Sequence, residues 1–207
     1  MPCGGSVGAG PFHSQTNEAW FTKIPGLKII YPAFPADAKG LLNTAFNDPN
    51  PVLYFEHKAL YRSIRQEVPE GYYTTEFGKA SLIREGSDVT IITYGAGVHW
   101  AMEILDELEV DSADLLDLRS LQPLDKETIC ESVTKTGKAI VLTEDSLTGS
   151  FASEIAAMIT ENCFESLDAP VYRVGSLETP IPFAKELENQ YLPKDRFKLK
   201  LQELLYY

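Results

Sequence analysis

From residue 88 onward the sequence alternates short runs of β-branched residues with longer amphipathic runs, and this alternation constrains the fold more than any other feature. The pattern is typical of strand–helix–strand units around a parallel sheet. The predicted strands cover residues 89–94, 113–118, 139–143 and 171–174. Between them, one helical face contains Val98, Ala101, Met102, Leu105 and Leu108, and another contains Phe151, Ile155, Met158, Ile159 and Phe164. We therefore predict a doubly wound α/β domain over residues 79–207.

Residues 1–65 also have an α/β pattern, but a shorter one. The predicted elements are a helix at 17–21, a strand at 28–31, a helix at 36–47 and a strand at 51–55. Two strands are too few for an independent sheet that is covered on both faces. We therefore predict a partial α/β domain that begins in mid-domain and needs a partner. Residues 66–78 contain Pro69 and Gly71 without periodicity and are predicted to form a linker.

The composition disfavours several classes of partner. The chain has 18 lysine and arginine residues against 30 aspartate and glutamate residues, a net charge of -12. This charge disfavours nucleic acid and anionic membranes and favours a basic protein partner. There is no apolar run of about 18 residues and no signal-peptide pattern, so we predict a cytoplasmic chain. Cys3, Cys130 and Cys163 are far apart in the sequence and are interpreted as structural thiols.

A turn at residues 95–97, Gly-Ala-Gly, follows a predicted strand and opens a helix. With Asp117 near the end of the next strand, this turn partly matches a dinucleotide-binding site. The third glycine of that motif is replaced by Trp100, which disfavours close packing of helix and strand. A plain strand-to-helix turn is the favoured interpretation, and nucleotide binding is the alternative.

His13 follows the glycine-rich segment of residues 4–10, where the backbone can approach a ligand closely. Histidine can donate or accept a proton near neutral pH, as chemistry at a carbonyl or carbanion centre requires. Taken alone, His13 could equally be a turn residue that is hydrogen-bonded to a backbone carbonyl. The residues around it decide between these interpretations.

Several short motifs occur in one order along the whole chain. They are Gly10-Pro11-Phe12-His13-Ser14-Gln15, Glu18-Ala19-Trp20-Phe21, Pro25-Gly26-Leu27-Lys28, Asp37-Ala38-Lys39-Gly40-Leu41-Leu42, Phe55-Glu56-His57-Lys58 with Leu60-Tyr61-Arg62, Asp117-Leu118-Arg119, Thr136-Gly137-Lys138 and Thr179-Pro180-Ile181-Pro182. Together they resemble the β subunit of thiamine diphosphate-dependent 2-oxo acid dehydrogenases, which are transketolase-like proteins. The 2-oxoisovalerate (branched-chain) and pyruvate types are the most similar.

The resemblance implies a transketolase C-terminal-like domain preceded by part of a pyrimidine-binding domain. It implies an enzyme component that decarboxylates a 2-oxo acid on thiamine diphosphate with Mg²⁺ and transfers the acyl group to a lipoyl group. His13 matches the family's catalytic histidine, and Ala45, Asp48 and Asn50 match a turn that binds a potassium ion. The implied partners are an α subunit or α region, a second β subunit and the lipoyl acyltransferase.

Two features of the family are missing from the sequence. No residue precedes Met1 to supply the glutamate that activates thiamine, and no Gly-Asp-Gly motif is present to bind diphosphate and Mg²⁺. We therefore expect a C-terminal piece of a β subunit, or of a fused α–β chain, that is inactive alone. The alternative function is a non-catalytic module that dimerises and binds the acyltransferase. The choice between pyruvate and branched-chain substrates stays open.

Two further groups of polar residues are candidate sites. Consecutive residues on a strand point to opposite faces, so Glu144 and Asp145 are not expected to form an acid–base pair. They are predicted to be polar residues of a loop or of an interface. His57-Lys58 and Tyr61-Arg62 follow a predicted strand and lie near a subunit interface in the resembling proteins. A structural contact is favoured for them over catalysis.

Overall fold

The computed structural model describes all 207 residues. The strands are β1 (Pro2–Cys3), β2 (Lys28–Ile30), β3 (Val52–Tyr54), β4 (Glu56–His57), β5 (Ser81–Arg84), β6 (Val89–Thr93), β7 (Ala113–Asp117), β8 (Ser120–Gln122), β9 (Ala139–Ser146) and β10 (Tyr172–Ser176). The helices are α1 (Gly10–His13), α2 (Glu18–Thr22), α3 (Pro35–Asn47), α4 (Leu60–Ser63), α5 (Ala96–Glu107), α6 (Lys126–Thr136), α7 (Phe151–Cys163), α8 (Lys185–Tyr191) and α9 (Lys194–Leu205), with a 3-10 turn at Phe164–Ser166. None of these helices has both the length and the apolarity required to cross a bilayer.

The second half of the chain forms a five-stranded sheet in the order β10-β9-β6-β7-β5. The first four strands are parallel, and β5 is antiparallel to β7 at the edge. Helices α5 and α9 pack on one face of the sheet, and α6 and α7 pack on the other. The predicted doubly wound α/β domain is confirmed. The edge strand β5 was not predicted, because its half-exposed side chains carry only a weak apolar pattern.

The core is divided by this sheet into two layers. In β6, Ile91 packs with the apolar residues of α5 and α9, whereas Ile92 packs with those of α6 and α7, because neighbouring strand residues face opposite sides. One predicted core residue is wrong: Phe164 is 72% exposed. Helix α7 ends at Cys163, and the following 3-10 turn changes the angular spacing, so Phe164 leaves the buried face.

The first half of the chain completes its sheet with a strand from the second half. Strand β2 is parallel to β3 and antiparallel to β8, which gives the order β3-β2-β8. The two strands predicted in residues 1–65 thus form a three-stranded sheet only together with β8, which the sequence pattern does not predict. A separate pair, β1 and β4, is parallel. The two halves thus share backbone hydrogen bonds.

The predicted linker, residues 66–78, contains no helix or strand and lies along α3. The Tyr73 hydroxyl donates to the Ala36 carbonyl at 2.7 Å, and Thr44 Oγ1 donates to the Thr75 carbonyl at 2.7 Å. The segment is therefore packed against the first half. The division into domains at residues 1–65 and 79–207 stays a prediction.

Candidate functional site

The strand order of the large sheet reverses between β6 and β9, which places a crevice at the carboxyl ends of these strands. Doubly wound domains commonly bind ligands in such a crevice. Here the first half of the same chain fills it. The Gly5 N–H donates to Glu144 Oε1 at 2.6 Å, and the Tyr94 hydroxyl donates to Glu18 Oε1 at 2.8 Å. The crevice joins the two halves of the chain.

The turn at residues 95–97 has no room for a nucleotide. A Cβ at Gly95, whose φ is +56°, would lie 2.6 Å from the Tyr31 ring. The Asp117 side chain is fully buried, and its Oδ1 accepts from the Arg119 N–H at 3.1 Å. Burial raises the pKa of Asp117 to about 8, so this carboxyl is uncharged near neutral pH. The geometry supports a plain strand-to-helix turn.

His13 is the last residue of α1, so it ends a short helical turn at the end of the glycine-rich segment. Its imidazole is exposed and has no hydrogen-bond partner within the chain. It lines an open cavity of about 450 Å³, together with Pro2, Val7, Ala9, Pro11, Phe12, Gln15, Asn17 and Lys58. The ring nitrogens are therefore accessible to a ligand in that cavity. The assignment of His13 as catalytic stays a prediction.

Two polar side chains that follow His13 are buried. The Ser14 hydroxyl is 1% exposed and has no partner. Glu18 is fully buried; its Oε1 accepts from the Tyr94 hydroxyl, and its Oε2 has no partner. Burial, and secondly the charge of Asp145, raises the pKa of Glu18 to about 8. In the sequence Glu18 is only part of a motif, and its burial against Tyr94, 76 residues away, leaves no local signal.

The raised pKa of Glu18 predicts a pH dependence of stability. Between its ordinary value of 4.5 and about 8, folded Glu18 keeps a proton that the unfolded chain has released, so stability falls as pH rises through this interval. One such group contributes at most about 1.4 kcal/mol per pH unit. We expect Glu18→Gln, which retains the acceptor for Tyr94, to lose less stability than wild type between about pH 5 and pH 8.

Urea unfolding across this pH range measures the effect. Exposed Glu131, changed to glutamine, is the control for loss of a carboxylate and should follow the wild-type curve. Asp117 also has a raised pKa and is unchanged in both variants, so all three proteins should keep this second contribution to the slope. Parallel curves for Glu18→Gln and wild type would contradict the burial of an uncharged Glu18.

The prediction that Glu144 is a polar residue of a loop or interface is wrong. Glu144 is 6% exposed, and its Oε2 lies 2.6 Å from His57 Nε2, which is also buried. Asp145, on the other side of the strand, is half-buried, and burial raises its pKa to about 6. The favoured structural role of His57 agrees with this internal contact. The partners of Glu144 are 87 and 139 residues away in the sequence, which local patterns cannot indicate.

Two family models match the chain. The model of the transketolase C-terminal domain matches residues 78–196. The model of the transketolase pyrimidine-binding domain matches residues 1–64. The chain belongs to the transketolase family. The predicted fold, a transketolase C-terminal-like domain preceded by a pyrimidine-binding α/β domain, is confirmed.

Relatives within this family are similar over nearly the whole chain. The chain is 47% identical to the 2-oxoisovalerate dehydrogenase subunit beta of Bacillus subtilis, over 98% of this chain and 63% of the relative. It is 46% identical to the pyruvate dehydrogenase E1 component subunit beta of the same organism, over 94% of this chain and 60% of the relative. The chain thus spans about six tenths of the length of these relatives.

A solved structure is also similar. It is described as an inactive β4 tetramer of a split-gene transketolase, and it matches with a TM-score of 0.71 and 27% identity. The match covers 91% of this chain and 60% of the solved chain. The family models and the similar solved structure therefore agree on the transketolase fold.

Ala45, Asp48 and Asn50, which are predicted to bind potassium, lie together in the turn from α3 to β3. The Asp48 N–H donates to the Ala45 carbonyl at 3.3 Å, and Asp48 Oδ1 accepts from the Asn50 N–H at 2.9 Å. Asp48 Oδ2 is paired with the Lys28 ammonium, which lowers the pKa of Asp48. A potassium ion would have to share this carboxylate with Lys28. The potassium site, which is separate from the cavity at His13, stays a prediction.

Proposed function

We propose that this chain is part of the β subunit of the decarboxylating first component of a 2-oxo acid dehydrogenase complex, and that His13 acts in its active site. The observation that carries the proposal is an accessible imidazole beside an open cavity, in a chain 47% identical to such a β subunit. The reaction would be oxidative decarboxylation of a 2-oxo acid, with acyl transfer to a lipoyl group. Pyruvate and branched-chain 2-oxo acids are both candidate substrates.

The residues around His13 fit one side of a thiamine diphosphate site. The glycine-rich segment leaves backbone without side chains beside the cavity, and the Ser14 hydroxyl nearby has no partner. When bound, thiamine diphosphate supplies the carbanion stabilisation that decarboxylation requires. The His13 ring nitrogens would hold or transfer a proton at the reacting carbonyl oxygen. The diphosphate and Mg²⁺ would be bound by another region, because the chain has no Gly-Asp-Gly motif.

The proposed protein partners are an α subunit or α region, a second β subunit and the lipoyl acyltransferase. Large apolar side chains are exposed on the first half of the chain, including Phe12 at 81%, Trp20 at 67% and Phe46 at 82%. Aromatic side chains are enriched at protein interfaces relative to the rest of the surface. The net charge of -12 favours a basic surface on the acyltransferase. A potassium ion at the Asp48 turn is part of the same proposal.

The alternative function is a non-catalytic module that dimerises and binds the acyltransferase. The acidic charge favours it for this chain taken alone, whereas the accessible His13 favours a catalytic role. The two functions are compatible within a complete assembly.

We expect the 207-residue chain alone to have no 2-oxo acid decarboxylase activity, because it lacks the motif for diphosphate and Mg²⁺. The measurement is dye reduction with pyruvate or 2-oxoisovalerate, in the presence of thiamine diphosphate and Mg²⁺. The whole β subunit, assembled with its α subunit, is the positive arm and should reduce the dye. Activity of the chain alone would contradict the expected division of the site, and inactivity of the assembly with both substrates would contradict the proposed function.

A further inference from the structure

Two buried carboxylates from the second half of the chain bind the glycine-rich segment, residues 4–10. Glu144, in β9, accepts the Gly5 N–H at 2.6 Å. Glu188, in α8, accepts the Gly8 N–H at 3.3 and 3.1 Å with its two oxygens. The two side chains are 6% and 2% exposed. Hydrogen bonds from backbone N–H groups to carboxylates are about twice as strong as neutral ones.

The His57 ring closes the same segment from another side. Its Nε2 lies 2.6 Å from the second oxygen of Glu144. Gly4 has a φ of +87°, and a Cβ there would lie 2.2 Å from the His57 ring, so the backbone is in direct contact with the imidazole. Glu144 therefore contacts both Gly5 and the side chain that packs on Gly4.

A glycine-rich segment needs such partners if it is to keep one conformation. Glycine has more backbone freedom than any other residue, so fixing it costs more conformational entropy. The segment from Gly4 to Ala9 contains no helix or strand, and α1, which follows it, ends at His13. Contacts at Gly5 and Gly8 hold the backbone at two points just before α1, which limits the positions that His13 can take.

We propose that Glu144 and Glu188 are positioning residues, which set the place of His13 by binding the backbone of residues 5 and 8. The proposal rests on the catalytic role proposed for His13 above. Both carboxylates belong to the transketolase C-terminal domain, so this domain would contribute to the active site through the backbone of residues 5 and 8.

Variants of Glu188 give the sharper test, because removing Glu144 would also leave buried His57 without its partner. Glu188→Ala removes both acceptors of the Gly8 N–H, whereas Glu188→Gln keeps one. Glu186, an exposed residue of the same helix without a hydrogen-bond partner, is the matched control as Glu186→Ala. Each variant is made in the whole β subunit assembled with its α subunit, and in the 207-residue chain.

Hydrogen–deuterium exchange of the peptide that contains residues 5–13 is the first measurement. We expect Glu188→Ala to raise its exchange rate about tenfold or more, with strands β6 and β9 unchanged. Glu188→Gln should stay within about threefold of wild type, and Glu186→Ala should match wild type. Unchanged exchange of this peptide, or an equal rise across the whole protein, would overturn the proposal.

The kinetics of the assembled enzyme are the second measurement. We expect Glu188→Ala to lower kcat about tenfold with KM within about twofold, because a displaced catalytic group impairs the reaction more than substrate binding. Glu188→Gln should restore most of the rate. A raised KM with unchanged kcat would overturn the positioning role. If wild type itself is inactive, the proposed function fails, and the exchange measurement alone then decides whether the carboxylates hold the segment.

Discussion

Replacing His13 by alanine is expected to lower the kcat of the assembled 2-oxo acid dehydrogenase by about 10²–10⁴-fold, the usual contribution of a positioned acid–base group. His13 is exposed and has no hydrogen-bond partner within the chain, so the free energy of unfolding should change by less than about 0.5 kcal/mol. A large loss of activity without a loss of stability is the expected combination for a residue that acts on a ligand.

Gln15→Ala provides the matched control for His13→Ala. Gln15 lines the same cavity, is also exposed and follows His13 by two residues, but its amide cannot transfer a proton near neutral pH. The kcat of Gln15→Ala should stay within about tenfold of the wild-type kcat. Steady-state dye reduction and urea unfolding of both variants measure the two quantities. If His13→Ala keeps the wild-type kcat, the catalytic role of His13 is wrong.

Arg119→Ala is expected to lower the free energy of unfolding by about 2–4 kcal/mol, because it breaks a partly buried set of charged hydrogen bonds. The guanidinium donates to Asp37 Oδ1 at 2.9 Å, to the Lys79 carbonyl at 3.1 and 2.7 Å, and to the Ala80 carbonyl at 3.2 Å. Arg119 lies in the turn between β7 and β8, and Asp37 lies in α3. One side chain thus connects the two halves of the chain.

The backbone of Arg119 supplies a second variant. Its φ is +55°, a conformation that costs an L-residue about 1–2 kcal/mol and glycine little. Arg119→Gly loses the same hydrogen bonds but relieves this cost, so it should be about 1 kcal/mol more stable than Arg119→Ala. Arg173 is exposed and donates to Ser153, and Arg173→Ala should lower the free energy of unfolding by less than about 0.5 kcal/mol. Equal losses for Arg119→Ala and Arg173→Ala, measured by urea unfolding, would contradict the connecting role.

The parallel strands of the second half were predictable because each is covered on both faces. Every residue of β6 and β7 is buried, and β6 is a continuous run of β-branched residues that stands out from the amphipathic helix after it. Asp125 caps α6, because its side chain accepts from the Thr128 N–H, and an aspartate directly before a helix is a common local signal of such a cap. These features depend on neighbours within a few residues.

Strand β8 and the role of Glu144 were not predictable for the opposite reason. Strand β8 has three residues, and it exists because β2, about 90 residues earlier, offers it an edge. Glu144 and Asp145 do point to opposite sides, as strand geometry requires, but only the position of Gly5 and His57 determines that Glu144 is buried. Short elements and buried acids depend on contacts that are distant in sequence.

The sequence by itself determined the doubly wound domain, the incomplete sheet of the first half and the family motif around His13. Each of these follows from local periodicity or from an ordered set of short motifs. Only the tertiary structure decided that the crevice between β6 and β9 is filled by the chain itself, and that Glu144 and Glu188 bind the segment before His13. The reason is physical: a buried carboxylate is stabilised by whichever N–H group the fold brings to it, and residues 139 and 180 positions apart leave no local pattern.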